Sequence, residues 1–117
     1  MKKILISALF TFSSLALLGS EIPQFPGGDA ALKQYIEKNT RYPETAKENG
    51  VEGIVVVGFS VLTDGSLDNI KVTKLIDPDL EREAIRIVKG MPAWIPAEIN
   101  GTPIEAPSYV NIPFILE

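Results

Sequence analysis

Any chemistry this chain performs must come from carboxylates, hydroxyls, amines and backbone groups, because its 117 residues include neither histidine nor cysteine. That removes Cys/His zinc sites, Ser-His-Asp and Cys-His nucleophile systems, disulfides, haem ligation by either residue and thiol redox chemistry. The carboxylates Asp64, Asp68, Asp77 and Asp79 stand beside turn and helix-start signals, and capping or turn formation accounts for them. Asp77 and Asp79 suggest the start of a calcium loop, but its other ligand positions and its glycine spacing are missing. A glycine pair, Gly27-Gly28, precedes a helical pattern and could in principle hold an anion. No strand runs into it and no lysine stands where a phosphate loop carries one, so it reads as a plain turn. The single tryptophan, Trp94, reads as a core plug. No catalytic, cofactor-binding or metal-binding residues are expected, and the chain is not expected to be an enzyme. With 11 Lys and Arg against 15 Asp and Glu, the net charge of −4 also argues against nucleic acid as a partner.

The elements around these residues fit one compact domain behind a targeting segment. Lys2 and Lys3 precede an apolar stretch over residues 4–18, and Gly19-Ser20 supply a small-residue exit. This is the layout of a secretory signal peptide over residues 1–20, with cleavage near Gly19 or Ser20, leaving 21–117 as the domain. The alternative is a short uncleaved anchor in the inner membrane, the chain's one membrane contact. The absence of cysteine excludes a lipoprotein.

Residues 21–28 read as an extended lead-in, and Asp29 as the cap of a helix ending near Asn39, with Leu32, Tyr35 and Ile36 on one stripe. A second short helix is expected over 43–48, stopped by Asn49-Gly50. The β-branched run 54–62 is the most apolar of the mature chain and predicts the central strand. Asp64-Gly65 predicts a hairpin turn into a half-polar second strand over 67–75. Asp77-Pro78 opens the clearest helix, with Leu80, Ala84, Ile87, Val88 and Met91 on its apolar face. Residues 91–107 hold Trp94 and four prolines and predict an irregular crossover. The last strand, 109–116, contains Pro113, which cannot donate to a ladder and therefore places that strand at a sheet edge. The fold class is α+β: a three-stranded antiparallel sheet in β-β-α-β order, the long helix on one face and one or two short helices before it.

Taken together, Tyr42-Pro43 with Ala46, Gly53 and the apolar strand after it, Asp64-Gly65, the helix around 80–88, residues 91–97 and Gly101-Thr102-Pro103-Ile104 resemble the TonB carboxy-terminal domain. The lead-in Phe25-Pro26-Gly27-Gly28 resembles the Bacteroidetes type, and the likeness runs over roughly 25–116. It implies an exported, periplasmic domain, linked to energised transmembrane transport, that binds a segment of an outer-membrane transporter. The segment would add as a strand at the open edge formed by Tyr109, Val110, Asn111, Ile112, Pro113 and Phe114, with Tyr42 and Pro43 nearby. A full transducer of this family has a motor-engaging membrane anchor and a long proline-rich spacer, and the sequence given carries neither pattern. The alternative is therefore an interaction or regulatory module that keeps the fold without transduction, pairs with another transducer or forms a homodimer.

Overall fold

The computed structural model describes residues 20–117; the expected signal segment up to Gly19 lies outside them. Helices α1 (Gly28–Asn39) and α2 (Glu44–Glu48) are followed by strands β1 (Gly53–Val61) and β2 (Leu67–Val72). Helix α3 (Pro78–Lys89) then leads to β3 (Ala97–Ile99), β4 (Thr102–Ile104) and β5 (Ala106–Phe114). The main sheet has the order β2-β1-β5 and is antiparallel throughout, while β3 and β4 form a separate hairpin. This is the α+β, three-stranded antiparallel arrangement that the sequence predicts.

Strand β1 is central because one of its faces is wholly apolar. Val55, Val57, Phe59 and Val61 are buried on it, joined by Val110, Ile112 and Phe114 of β5. Helix α3 closes that face with Leu80, Ala84, Ile87 and Val88. Its start follows from sequence: Asp77 Oδ2 accepts the backbone N–H groups of Asp79 and Leu80 at 3.0 and 3.1 Å, and Pro78 occupies the first helical position.

Several local expectations change, the largest in the last strand, which runs Ala106–Phe114 rather than over 109–116. Helix α1 starts at Gly28 with Gly27 as its cap residue at φ 91°, so Asp29 falls inside the first turn rather than capping it. The glycine pair makes that start possible, because a Cβ on Gly27 would come within 2.8 Å of the Ala31 Cβ. The second helix begins one residue later than expected, with Pro43 as its cap residue. Strand β2 stops at Val72, and a register shift opposite residues 58–60 accompanies Asn69 at φ 53°. Within the expected crossover, Asn100 (φ 54°) and Gly101 (φ 81°) make the tight turn that joins β3 to β4.

Trp94 is the plug expected, only 5% exposed. It stands edge-on to Phe25 and Phe59 at centroid distances of 5.8 and 5.1 Å. The lead-in is docked beneath it, because Gln24 and Ile95 exchange backbone hydrogen bonds of 2.9 and 2.7 Å. The Asp64-Gly65 turn is fixed by the same residue: Trp94 donates its backbone N–H to Gly65 O at 2.8 Å, and a Cβ on Gly65 would come within 2.1 Å of the Trp94 carbonyl oxygen.

Candidate partner-binding edge

The direction of the main-chain groups on β5 follows from one bond at the far side of the sheet. Thr73 donates its backbone N–H to the Val56 carbonyl at 2.9 Å, so Val56 turns its main-chain groups toward β2. These groups alternate sides along a strand, so Val55 and Val57 turn theirs toward β5. Their partners there, Ile112 and Val110, are thereby engaged in the ladder, and so is Phe114 opposite Gly53. The intervening residues Pro107, Tyr109, Asn111 and Pro113 direct their main-chain groups away from β1, to the outer edge.

The two prolines fit this frame independently, since each stands where the ladder needs no N–H. The outer edge of β5 thus offers donors at Tyr109 and Asn111, bracketed by prolines that offer carbonyls alone. Tyr109, Asn111 and Pro113 are also exposed, Tyr109 by 64%. Val110, Ile112 and Phe114 point into the core and hold the edge from behind. The opposite edge, β2, is shorter, interrupted by its register shift, and bears Asp68 and Lys71. Those are devices that discourage strand addition.

Tyr42 and Pro43 stand at the Phe114 end of β5. The Tyr42 ring packs edge-on to Phe114 at 5.7 Å, and its hydroxyl donates to the Val51 carbonyl. Burial, helped by the Glu52 carboxylate, holds that hydroxyl above the ordinary tyrosine range. Pro43 helps line a shallow cleft of about 310 Å³ with Arg41, Thr45, Asp79 and Arg82. Glu83 anchors the same corner. It accepts from Arg41 N at 2.7 Å and from the Arg86 guanidinium at 2.7 and 2.8 Å. Burial pushes the Glu83 carboxyl up, and these bonds and charges outweigh it, leaving it below its usual range. Arg86 reaches on to the Asn39 carbonyl at 2.7 Å and ties the end of α1 to α3.

Sequence reasoning missed two parts of this surface. Pro107 lies six residues before Pro113, an even spacing that puts both on one strand edge, and this was readable from sequence. Helix α1 also borders this edge: Leu32 and Ile36, with Asn111 and Pro113 of β5, line a groove of about 260 Å³. The placement of α1 has no local sequence signal. Among the described residues there is no group of His, Cys, Asp or Glu side chains that could hold a metal ion.

The family model for the Gram-negative bacterial TonB protein C-terminal region matches residues 38–116. The chain belongs to the TonB C-terminal family. It is 33% identical over 101 residues to the TonB protein of Haemophilus influenzae, covering 80% of this chain and 37% of that protein. It is 37% identical over 59 residues to TonB of Helicobacter pylori strain J99, covering 50% of this chain and 21% of that one. The chain thus spans well under half the length of these relatives. Two solution structures of the Helicobacter pylori TonB C-terminal domain share the fold. One has a TM-score of 0.57 at 28% identity, covering 73% of this chain and 77% of that one. The other has a TM-score of 0.54 at 26% identity, with coverages of 73% and 89%. The TonB family match begins at residue 38, so nearly all of α1 precedes it.

Proposed function

We propose that this TonB-type domain works in the periplasm, linked to energised transmembrane transport, and binds a segment of an outer-membrane transporter as a fourth strand on the outer edge of β5. The observation that carries this reading is the open edge itself. Donors at Tyr109 and Asn111 alternate with carbonyls from Pro107 to Pro113, on the strand whose other side is locked to β1. Main-chain bonds of this kind supply affinity in strand addition, and side chains on alternate positions supply selectivity. Tyr42 and Pro43 serve as an abutment, since Tyr42 fixes Phe114 and so fixes the end of the edge.

Export by the segment over residues 1–20 completes the reading, and no helix among the described residues is long and apolar enough to cross a membrane. The test is binding of a purified outer-membrane transporter from the native host to the wild-type chain and to Asn111→Pro. Loss of binding with the fold intact by circular dichroism supports edge addition. Unchanged affinity overturns it.

A further inference from the structure

Strand addition at β5 leaves open which segment the edge selects. Helix α1 answers this, because it lies on the core side of the sheet next to α3. Its Tyr35 hydroxyl donates to the Ile87 carbonyl at 3.0 Å, and Ile36 enters the core. A strand added beside β5 therefore lays every second side chain toward α1, into the groove floored by half-buried Leu32 and by Ile36. At about 260 Å³ the groove falls below the roughly 300–1,000 Å³ of small-molecule sites and suits single side chains of a peptide.

Along its rim stand Asp29, Lys33 and Glu37, all exposed, and among the described residues none of the three is in an ion pair. Two carboxylates against one ammonium leave the rim acidic, on a chain whose net charge is already −4. Asp29 and Glu37 are separated by eight helical residues, roughly 12 Å at 1.5 Å each. Four residues of a strand cover roughly 13 Å, so basic side chains at positions i and i+4 of an added strand that follows α1 match that span.

We infer that α1 is a reading wall for the added strand. The occupant it selects is an extended partner segment of about seven residues whose α1-facing side chains are basic, apolar, basic. This rests on the edge-addition reading above. A second copy of this chain is the poorer occupant, because the symmetric pairing that uses the whole edge, centred on Val110, sets Pro107 against Pro113 and leaves both ends of that ladder without a donor.

The test uses two labelled, end-blocked peptides, Thr-Lys-Thr-Val-Thr-Lys-Thr and Thr-Glu-Thr-Val-Thr-Glu-Thr, titrated by fluorescence anisotropy against the full chain at low salt. The lysine peptide should bind about tenfold more tightly, and the preference should shrink at high salt. Joint reversal, Asp29→Lys with Glu37→Lys, should invert the order. Glu37→Lys alone, which places a cation toward the helix C-terminus where it is tolerated, should remove about half of the preference on a logarithmic scale. Asn111→Pro should abolish binding of both peptides. An unchanged preference in the reversed variants, with binding still lost in Asn111→Pro, overturns the role of α1 and leaves edge addition standing. Equal binding to wild type and Asn111→Pro overturns edge addition and this inference with it. Failure of both peptides to bind the wild-type chain overturns the inference.

Discussion

Proline substitutions at two adjacent positions of β5 should have very different costs, and the difference can be worked from the ladder. Ile112 is fully buried and pairs with Val55, whose carbonyl faces it from β1. Proline there removes the donor and leaves that buried carbonyl unsatisfied, at about 1–3 kcal/mol. It also trades a packed isoleucine for a smaller ring, about 2 kcal/mol more on the scale of large-to-small core changes. The sum is about 3–5 kcal/mol, a large part of the roughly 5–15 kcal/mol that holds a domain together. Asn111, one residue earlier, is exposed and turns its N–H outward. Val110 before it is already extended, as a residue preceding proline prefers, so Asn111→Pro should cost at most about 1 kcal/mol.

Urea unfolding measures both, with fluorescence of the single, buried Trp94 as the signal. If the unfolding slope is shared, the midpoint shift for Ile112→Pro should exceed that for Asn111→Pro about threefold or more. Equal shifts, or a larger one for Asn111→Pro, would refute the assignment of which β5 residues face the outer edge.

Further outcomes concern the frame behind that edge. Val57→Asp or Phe59→Asp should prevent folding, because each sets an unpaired charge in the core, whereas Asp68→Ala on the wet side of the hairpin should shift the thermal midpoint very little. Gly65→Ala should destabilise by more than the usual surface change, since it combines a φ of 88° with a clash against the Trp94 carbonyl; Trp94 emission and calorimetry report it. Asp77→Ala should cost about 1 kcal/mol through loss of the α3 cap, read by chemical denaturation. The side-chain and backbone bonds from Ser66 hold the Asp64 carboxyl below its ordinary range, and Glu83 is likewise lowered. Both lowered groups give stability that is present above the ordinary carboxylate range and is lost as pH falls through their folded values, so the joint variant Asp64→Asn with Glu83→Gln should show a flatter acid limb in a melting-temperature profile.

Most of the fold was legible because local signals agreed with one another. The β-branched run of β1, the Asp64-Gly65 turn and the Asp77-Pro78 start each specify an element by themselves, and Pro113 alone places β5 at an edge. The β3-β4 hairpin was also written in the chain, at Asn100-Gly101, but four prolines around it outweighed that signal. The start of α1 differs from the expectation because a free carboxylate at Asp29 is the commoner cap, while the Gly27-Gly28 pair works through backbone angles that composition does not display. The groove depends on where α1 packs, a long-range outcome of the Tyr35, Arg86 and Asn39 contacts, and no spacing within α1 encodes it.

The central claim is that a partner strand completes the outer edge of β5, and residue-resolved amide hydrogen exchange tests it most directly. In the free chain the amides of Tyr109 and Asn111 should exchange fast and those of Val110 and Ile112 slowly. Adding a purified outer-membrane transporter from the native host should slow Tyr109 and Asn111 by at least about tenfold while leaving β2 unchanged. A bound transporter that leaves both amides fast, or that protects the β2 edge instead, would contradict the account.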